Sequence, residues 1–311
     1  MNAFMAATFI KRQCEESCNH YTCPVCDSGV KNVSYFYYEN QKEFKVFRCM
    51  TCGFMFVRPL FLPDLEDRKL DYEYDTELLN SAALRKAHEK FIIGKEIKHV
   101  RSILGKGAFS LLDIGCGTGW TTNMWASSGF EATGLEPSEL RARLASERYR
   151  IKVFSDFFEN LDISENFDVV ILRHMIEHFA SPYDMTVKAH SLLNPHGTAV
   201  IIVPNINCLG RYLFGTRWTW GIPYHCNFFS PKTLAHLVER AGFEIITAYQ
   251  TPSPLLYPES FLRYIPHNSQ CTASNHGRLN VLSLLPFTPF VLLGYLMRLS
   301  ENITVIARRK G

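Results

Sequence analysis

Residues 110–120 read Ser-Leu-Leu-Asp-Ile-Gly-Cys-Gly-Thr-Gly-Trp, and no other stretch of the chain restricts its fold as tightly. The apolar run at 111–114 predicts a buried strand. Gly115, Gly117 and Gly119 then predict a tight turn that a ligand can approach where any side chain would collide. The Thr-Thr-Asn-Met-Trp-Ala run at 121–126 opens a helix whose N-terminal amides face the same cleft. Dinucleotide enzymes space these glycines Gly-x-Gly-x-x-Gly. Here the spacing is Gly-x-Gly-x-Gly, with Asp113 two residues before the first glycine.

Further apolar runs follow at 130–135, 151–154, 167–172, 197–203, 243–247 and 302–307, most of them separated by segments of helical pattern. That rhythm predicts an α/β fold, a doubly wound, seven-stranded, mostly parallel sheet that binds ligands outside the carboxyl ends of its strands. Glu136 closes the second run, 17 residues beyond Gly119, where an acidic side chain can accept the two hydroxyls of a ribose.

The N-terminal part has a different chemistry. Cys23-Pro-Val-Cys26 and Cys49-Met-Thr-Cys52 are separated by 22 residues and present four thiolates, a closed tetrahedral set for a structural zinc. Residues 33–38 and 44–48 read as the two arms of a small zinc ribbon. Four unrelated buried cysteines are the competing reading, and a redox dithiol would need only one such motif. Cys14, Cys18 and His20 lie upstream at looser spacing and are taken as bystanders. Pro59 and Pro63 mark the exit from the ribbon.

The division expected is therefore 1–63 for the ribbon with an N-terminal extension, 64–105 for a helical linker and cofactor flap, and 106–311 for the catalytic domain. Apolar residues at helical spacing over roughly 76–104 support the linker. Tyr72 and Tyr74 fall in the flap, where packing at a domain junction is the plainer role. A composition 47% hydrophobic and 20% charged is that of a chain able to bury a core. The net charge of +3, with no basic tract longer than 308–310, argues against a nucleic-acid partner. The positive charges Lys11 and Arg12 follow the apolar start instead of preceding it, so no signal peptide is expected. Ten cysteines then suit the reducing cytoplasm.

Residues 113–119 resemble motif I of the class I S-adenosylmethionine-dependent methyltransferases, whose fold is Rossmann-like. The resemblance implies that the glycines pass under the methionine and ribose of S-adenosyl-L-methionine and that Asp113 anchors its amino group, usually through water. It also implies that Asp156 meets the exocyclic amine of adenine and that Phe157 walls the ring. His174-Met-Ile-Glu-His178, Val203-Pro-Asn205, Tyr224-His225, Phe229-Ser-Pro231 and the Glu-Arg-Ala-Gly-Phe run at 239–243 resemble a broad group of ubiquinone-pathway O-methyltransferases and sugar methyltransferases. An N-terminal zinc ribbon resembles the sugar C-methyltransferase branch.

The acceptor side is read from the residues after the fourth strand. No Asn/Asp-Pro-Pro-aromatic run follows it, and the chain has no Pro-Cys pair, so the amino- and cytosine-methylating patterns of nucleic-acid enzymes are missing. His174, Glu177 and His178 at i, i+3 and i+4 predict a helix with all three on one face. In ubiquinone-pathway and small-RNA 2′-O-methyltransferases a Glu-x-x-Glu-His helix holds a divalent metal at the acceptor hydroxyl. With His174 in place of the first Glu, the set His174, Glu177, His178 and His225 offers a second divalent metal site that suits an ion softer than magnesium. Hydrogen-bonding of Glu177 and His178 to neighbouring loops is the plainer alternative, and the zinc-protease reading of His-x-x-Glu-His does not suit a sheet that opens with motif I. His225 is the expected general base, with Tyr224 beside it to orient substrate, and His174 and His178 are the other catalytic candidates. The expected acceptor is a small molecule, namely a sugar, a glycan precursor or a lipid-linked intermediate, methylated at oxygen or carbon. The alternative is a cofactor-binding or zinc-ribbon scaffold protein without transfer activity.

Within an insert at about 253–300, residues 279–297 carry no charge over 19 positions, long enough to span a bilayer. The run at 302–307 must nevertheless return to the sheet beside 243–247, and Pro286 and Pro289 interrupt the stretch. An apolar helical hairpin is expected, packed on the core, on a second copy in a homodimer, or peripherally on a membrane surface.

Overall fold

The computed structural model describes residues 8–10, 21–38, 42–60, 82–221, 225–262 and 284–310. The first strands, β1 (Thr8–Ile10), β2 (Val30–Tyr38), β3 (Lys42–Cys49) and β4 (Met55–Arg58), form an antiparallel sheet with the four cysteines at the base of the β2–β3 hairpin. Its fifth strand comes from far along the chain. β10 (Asn227–Phe228) pairs antiparallel with β4, Asn227 opposite Phe56 and Phe228 opposite Met55. Phe47, Phe54 and Phe56 share one apolar cluster with Val203, Phe229 and Leu234 of the main body. The rings of Phe54 and Phe229 lie 5.1 Å apart.

Two helices, α1 (Ala82–His88) and α2 (Gly94–Leu104), follow, joined by a π-helical turn at Glu89–Ile93. Ile93 and Val100 are fully buried against Leu111, Trp125, Phe130 and Val200, so this segment covers one face of the large sheet.

That sheet combines β5 (Phe109–Ile114), β6 (Phe130–Leu135), β7 (Lys152–Phe154), β8 (Phe167–Arg173), β9 (Leu193–Pro204), β11 (Phe243–Thr251) and β12 (Asn302–Arg309) in the order β11-β12-β9-β8-β5-β6-β7. The five strands from β5 to β9 are parallel, and β12 runs antiparallel between β9 and β11. Central strands of a sheet covered on both faces need side chains that are apolar in both directions. Val169, Val170 and Leu172 accordingly have no exposed surface.

The connecting helices start where the sequence supplies caps. Ser138 and Ser181 accept from the third residue of α4 (Glu139–Tyr149) and α5 (Pro182–Ser191). Ser230 forms a capping box with Thr233 ahead of α7 (Pro231–Arg240), with Pro231 as its first residue. Between β5 and β6 lies α3 (Trp120–Ser127), and α6 (Leu209–Phe214) follows β9.

The insert between β11 and β12 contains α8 (Leu256–Leu262) and α9 (Thr288–Leu296). The chain does return to the sheet at β12, as the strand pattern required. Only Gly294 of α9 is buried, while Leu285, Leu292, Leu296 and Met297 are each more than half exposed. No described helix is long and apolar enough to cross a membrane. Residues 263–283 of the insert, and with them Cys14, Cys18, His20, Pro63, Tyr72 and Tyr74, lie outside the described residues.

Candidate active site

The glycine turn leaves β5 with Gly115, Gly117 and Gly119 at φ 76°, 56° and 80°, the left-handed region that an L side chain occupies only at a cost. Space is also closed to a side chain at two of them. A Cβ on Gly115 would lie 2.3 Å from Met175 Sδ, and one on Gly119 2.7 Å from Ala145 Cβ. The amides of Gly115 and Cys116 donate to the Leu135 carbonyl at 2.8 and 3.0 Å, which fixes the turn against the end of β6.

Three acidic side chains stand at the carboxyl ends of three neighbouring strands. Asp113, 2% exposed, ends β5 and accepts from Thr122 Oγ1 at 2.6 Å and from Thr121 Oγ1 at 3.5 Å. Burial pushes its carboxyl up to about 6, against the opposing pull of Thr122 and of the Arg173 guanidinium. Glu136 follows β6, is 4% exposed, and accepts from Gly117 N and Ser138 N, each at 3.0 Å. Asp156, after β7, is half-buried and accepts from Phe157 N at 2.7 Å and Asn160 Nδ2 at 3.4 Å, with Phe157 half-buried beside it. The glycine turn and the three carboxylates around it offer donors and acceptors of the kind that a cationic amino acid joined to a ribose and an amino-purine would need.

On the acceptor side the structure corrects one expectation. Residues 174–178 form a turn and not a helix, because His174 adopts φ 52° and its amide donates to the Ile202 carbonyl at 2.9 Å, extending the strand pairing instead of opening a helix. The turn still gathers most of the expected groups. Donor atoms of Glu177, His178 and His225 lie within 4.8 Å of one another, and the His178 and His225 rings meet edge to face at 4.7 Å. His174 stands behind this trio, with Nδ1 3.2 Å from Glu177 Oε1. Glu177 is fully buried, and its Oε2 has no hydrogen-bond partner among the described residues. His225 Nδ1 lies 3.1 Å from the Trp220 carbonyl. A carbonyl only accepts, so Nδ1 carries the proton and Nε2 the lone pair in the neutral ring. Tyr224 lies outside the described residues.

The four ribbon cysteines also meet. Cys23 Sγ is 3.7 Å from Cys52 Sγ and Cys26 Sγ 3.5 Å from Cys49 Sγ. All four sulfurs lie within 4.8 Å of one another. A tetrahedron with metal–sulfur bonds of about 2.3 Å has edges of about 3.8 Å, close to these spacings. Amides of Val25, Thr51 and Cys52 point at the sulfurs at 3.4 Å, donors that suit thiolates. Burial pushes the thiol of Cys23 far up and that of Cys52 to about 11, protons that a bound metal would displace.

Several partners in the site are invisible in the sequence. Arg173, at the end of β8, forms a buried ion pair with Glu96 of α2. Thr122 holds Asp113, and the carbonyl of Trp220 sets the His225 tautomer. Only the two threonines after the glycines carried a signal, since a hydroxyl in the first turn of the following helix lies within reach of the strand end.

Residues 66–248 match a family model described as methyltransferase domain, more than half of the chain. A ubiquinone biosynthesis O-methyltransferase from Nitrobacter winogradskyi is 26% identical over 162 residues, 48% of this chain and 61% of the relative. The chain thus spans about three-fifths of that curated relative's length. Among solved structures, a SAM-dependent methyltransferase from Thermotoga maritima aligns with a TM-score of 0.50 and 18% identity, covering 78% of this chain and 97% of that one. The plantazolicin methyltransferase BpumL in complex with SAH aligns at 0.51 and 14%, covering 80% and 91%. The order and direction of the seven strands agree with these likenesses in fold. This chain belongs to the methyltransferase domain family, and its sheet is that of the class I S-adenosylmethionine-dependent methyltransferases.

Proposed function

We propose that the protein transfers a methyl group from S-adenosyl-L-methionine to a small-molecule acceptor, with His225 as the general base at a hydroxyl. One observation carries this reading. The turn that bears Glu177 and His178 also holds Met175 against Gly115, which brings the histidine cluster next to the glycine turn. Bound S-adenosylmethionine supplies an electrophilic methyl group on a sulfonium. Asp113 anchors the amino group, Glu136 accepts the ribose hydroxyls, and Asp156 and Phe157 flank the adenine. His225 Nε2 would take the proton of the acceptor hydroxyl as that oxygen gains the methyl group. Tyr224 orients the acceptor in the same reading.

Glu177, His178 and His225, with His174 behind them, also fit a divalent metal that would lower the acceptor pKa. The orphaned Oε2 of Glu177 favours this second version. Cys23, Cys26, Cys49 and Cys52 hold a structural zinc.

The acceptor is a sugar, a glycan precursor or a lipid-linked intermediate, methylated at oxygen or carbon, and contacts between rings favour the lipid-linked class. The His174 ring lies 5.4 Å from Trp220, Trp220 lies 6.1 Å from Trp218, and Trp218 belongs to an apolar cluster that includes Tyr257 and is capped by Phe287 and Val291 of the insert. An apolar path thus joins the acceptor side to the exposed face of α9. That face serves peripheral membrane contact or self-association. A screen of nucleotide sugars, lipid-linked sugars and cell-extract fractions with methyl-labelled cofactor tests the proposal. A labelled product that disappears with His225→Ala is expected. Unchanged turnover by that variant would refute the base and the metal alike, and chelation followed by metal add-back separates the two.

A further inference from the structure

The ribbon does more in this structure than carry four cysteines, because its last strand is hydrogen-bonded to both segments of the acceptor side. Val57 N of β4 donates to the Cys226 carbonyl at 2.9 Å, and Arg58 Nη2 donates to the Ala180 carbonyl at 3.1 Å. β10, paired with β4, begins two residues after His225. From β10 a second set of donors reaches the turn that holds Glu177 and His178. Asn227 N donates to the Glu177 carbonyl at 3.0 Å. Asn227 Nδ2 donates to the carbonyls of Ile176 at 3.2 Å and Phe179 at 2.6 Å. Cys226 Sγ lies 3.4 and 3.3 Å from the carbonyls of Glu177 and Phe179.

Asn227 and Cys226 are 2% and 1% exposed. Donors in so dry a place are seldom left without acceptors, and here the acceptors are the carbonyls of Ile176, Glu177 and Phe179 in the turn and just after it.

We infer that β4 of the ribbon, acting through Cys226 and Asn227, is the clamp that holds Glu177, His178 and His225 in mutual register, so that the ribbon positions the acceptor half of the active site and not the cofactor half. The inference rests on the proposed acceptor role of those side chains. The cofactor cradle is built from β5, β6, β7 and their loops, and none of its described hydrogen bonds involves the ribbon. Asn227, Cys226 and Val57 are positioning residues. A displacement of about 1 Å in a reacting group can cost roughly 100-fold in rate, so a clamp of this kind has a kinetic signature.

Two variants of the full chain separate the clamp from general stability. Val57→Pro removes the β4 amide that meets Cys226 and leaves the four cysteines in place. Asn227→Ala removes the side-chain donors and leaves the β10 backbone. In protein with ¹⁵N-labelled histidine, the imidazole signals of both His178 and His225 should move in each variant, with S-adenosylhomocysteine affinity within about twofold of wild type. Turnover on whichever acceptor the screen identifies should fall by roughly 100-fold. Unmoved signals of His178 and His225 in both folded variants would overturn the clamp, as would loss of cofactor affinity in step with turnover. Moved signals with unchanged turnover would leave the clamp standing as geometry and remove the catalytic role of the histidines, a failure of the proposed function that this readout tells apart.

Discussion

Glu136 Oε2 accepts a hydrogen bond from Gly117 N at 3.0 Å, so the second strand of the parallel run grips the glycine turn at its middle. The other oxygen accepts from Ser138 N at the start of the next helix. A carboxylate has about four acceptor positions and can accept from hydroxyls as well as from amides. Glu136→Ala should therefore weaken binding of S-adenosylhomocysteine by about 1 to 3 kcal/mol, through lost hydroxyl contacts and a loosened turn. Titration calorimetry of the variant against wild type measures it, and an unchanged affinity would remove Glu136 from the site.

The two outer glycines should differ in tolerance. Alanine at either position meets the same left-handed backbone cost of about 1 kcal/mol or more. At Gly115 the obstacle is the end of the flexible Met175 side chain. At Gly119 it includes the Ala145 backbone, with Cα 3.1 Å from the added carbon. Gly119→Ala should thus lose more stability than Gly115→Ala, by a further 1 to 3 kcal/mol or so of overpacking. Chemical denaturation of the two variants checks the order, and the reverse order would contradict the packing described.

Asp113 gives a pH dependence whose sign follows from its burial. Its folded pKa of about 6 lies above the value of 3.8 for an unperturbed group. The protonated carboxyl therefore stabilises the unliganded fold below the lower value, and that contribution is lost as pH rises through the higher one. A cationic amino group bound nearby favours the ionised form. Cofactor affinity should fall as pH drops through about 6, with up to one proton released on binding, and Asp113→Asn should flatten the profile. Calorimetry in buffers of different ionisation enthalpy measures the proton. A pH-independent affinity between about 5 and 7 would contradict this role.

The thiolate cluster predicts one zinc per chain. Metal ligation in small cysteine sites contributes on the order of 10 kcal/mol, and the ribbon shares its core with Phe229 and Leu234. Cys26→Ser or chelation should lose the metal and expose residues 21–58 to hydrogen exchange before the large sheet opens. Elemental analysis that finds no zinc in protein purified without chelator would count against it.

Much of this was legible because the physics is local. A strand buried on both faces must be largely apolar, as residues 169–172 are, and a Ser-Pro pair before a periodic run starts a helix, as Ser230 and Pro231 do. Paired Cys-x-x-Cys knuckles fix sulfur positions by spacing alone. The acceptor side was less legible because its geometry comes from distant pieces. His174, Glu177 and His178 suggested a helix by spacing, yet the left-handed backbone at His174 makes the turn, and no residue type at that position announces it. A two-residue strand such as β10 has no periodicity to read, and the Arg173–Glu96 pair joins positions 77 residues apart.

The exposed face of α9 should be sticky. Leu292 and Leu296 are 56% and 69% exposed on a helix with no charged residue. The protein should float with liposomes or sediment as a dimer, and the pair Leu292→Asp with Leu296→Asp should abolish either behaviour without change in cofactor affinity. A clean monomer that ignores liposomes would leave the face without a function.

The central claim is that the cradle formed by Asp113, the three glycines and Glu136 binds S-adenosylmethionine and its demethylated product. Titration calorimetry of the intact chain with S-adenosylhomocysteine tests it most directly. One molecule bound per chain is predicted, with a dissociation constant of about 1 to 100 μM, equivalent to roughly 5 to 8 kcal/mol, and with binding lost in a Gly117→Leu variant that keeps its fold. A folded wild-type protein that shows no binding at millimolar ligand would contradict the account.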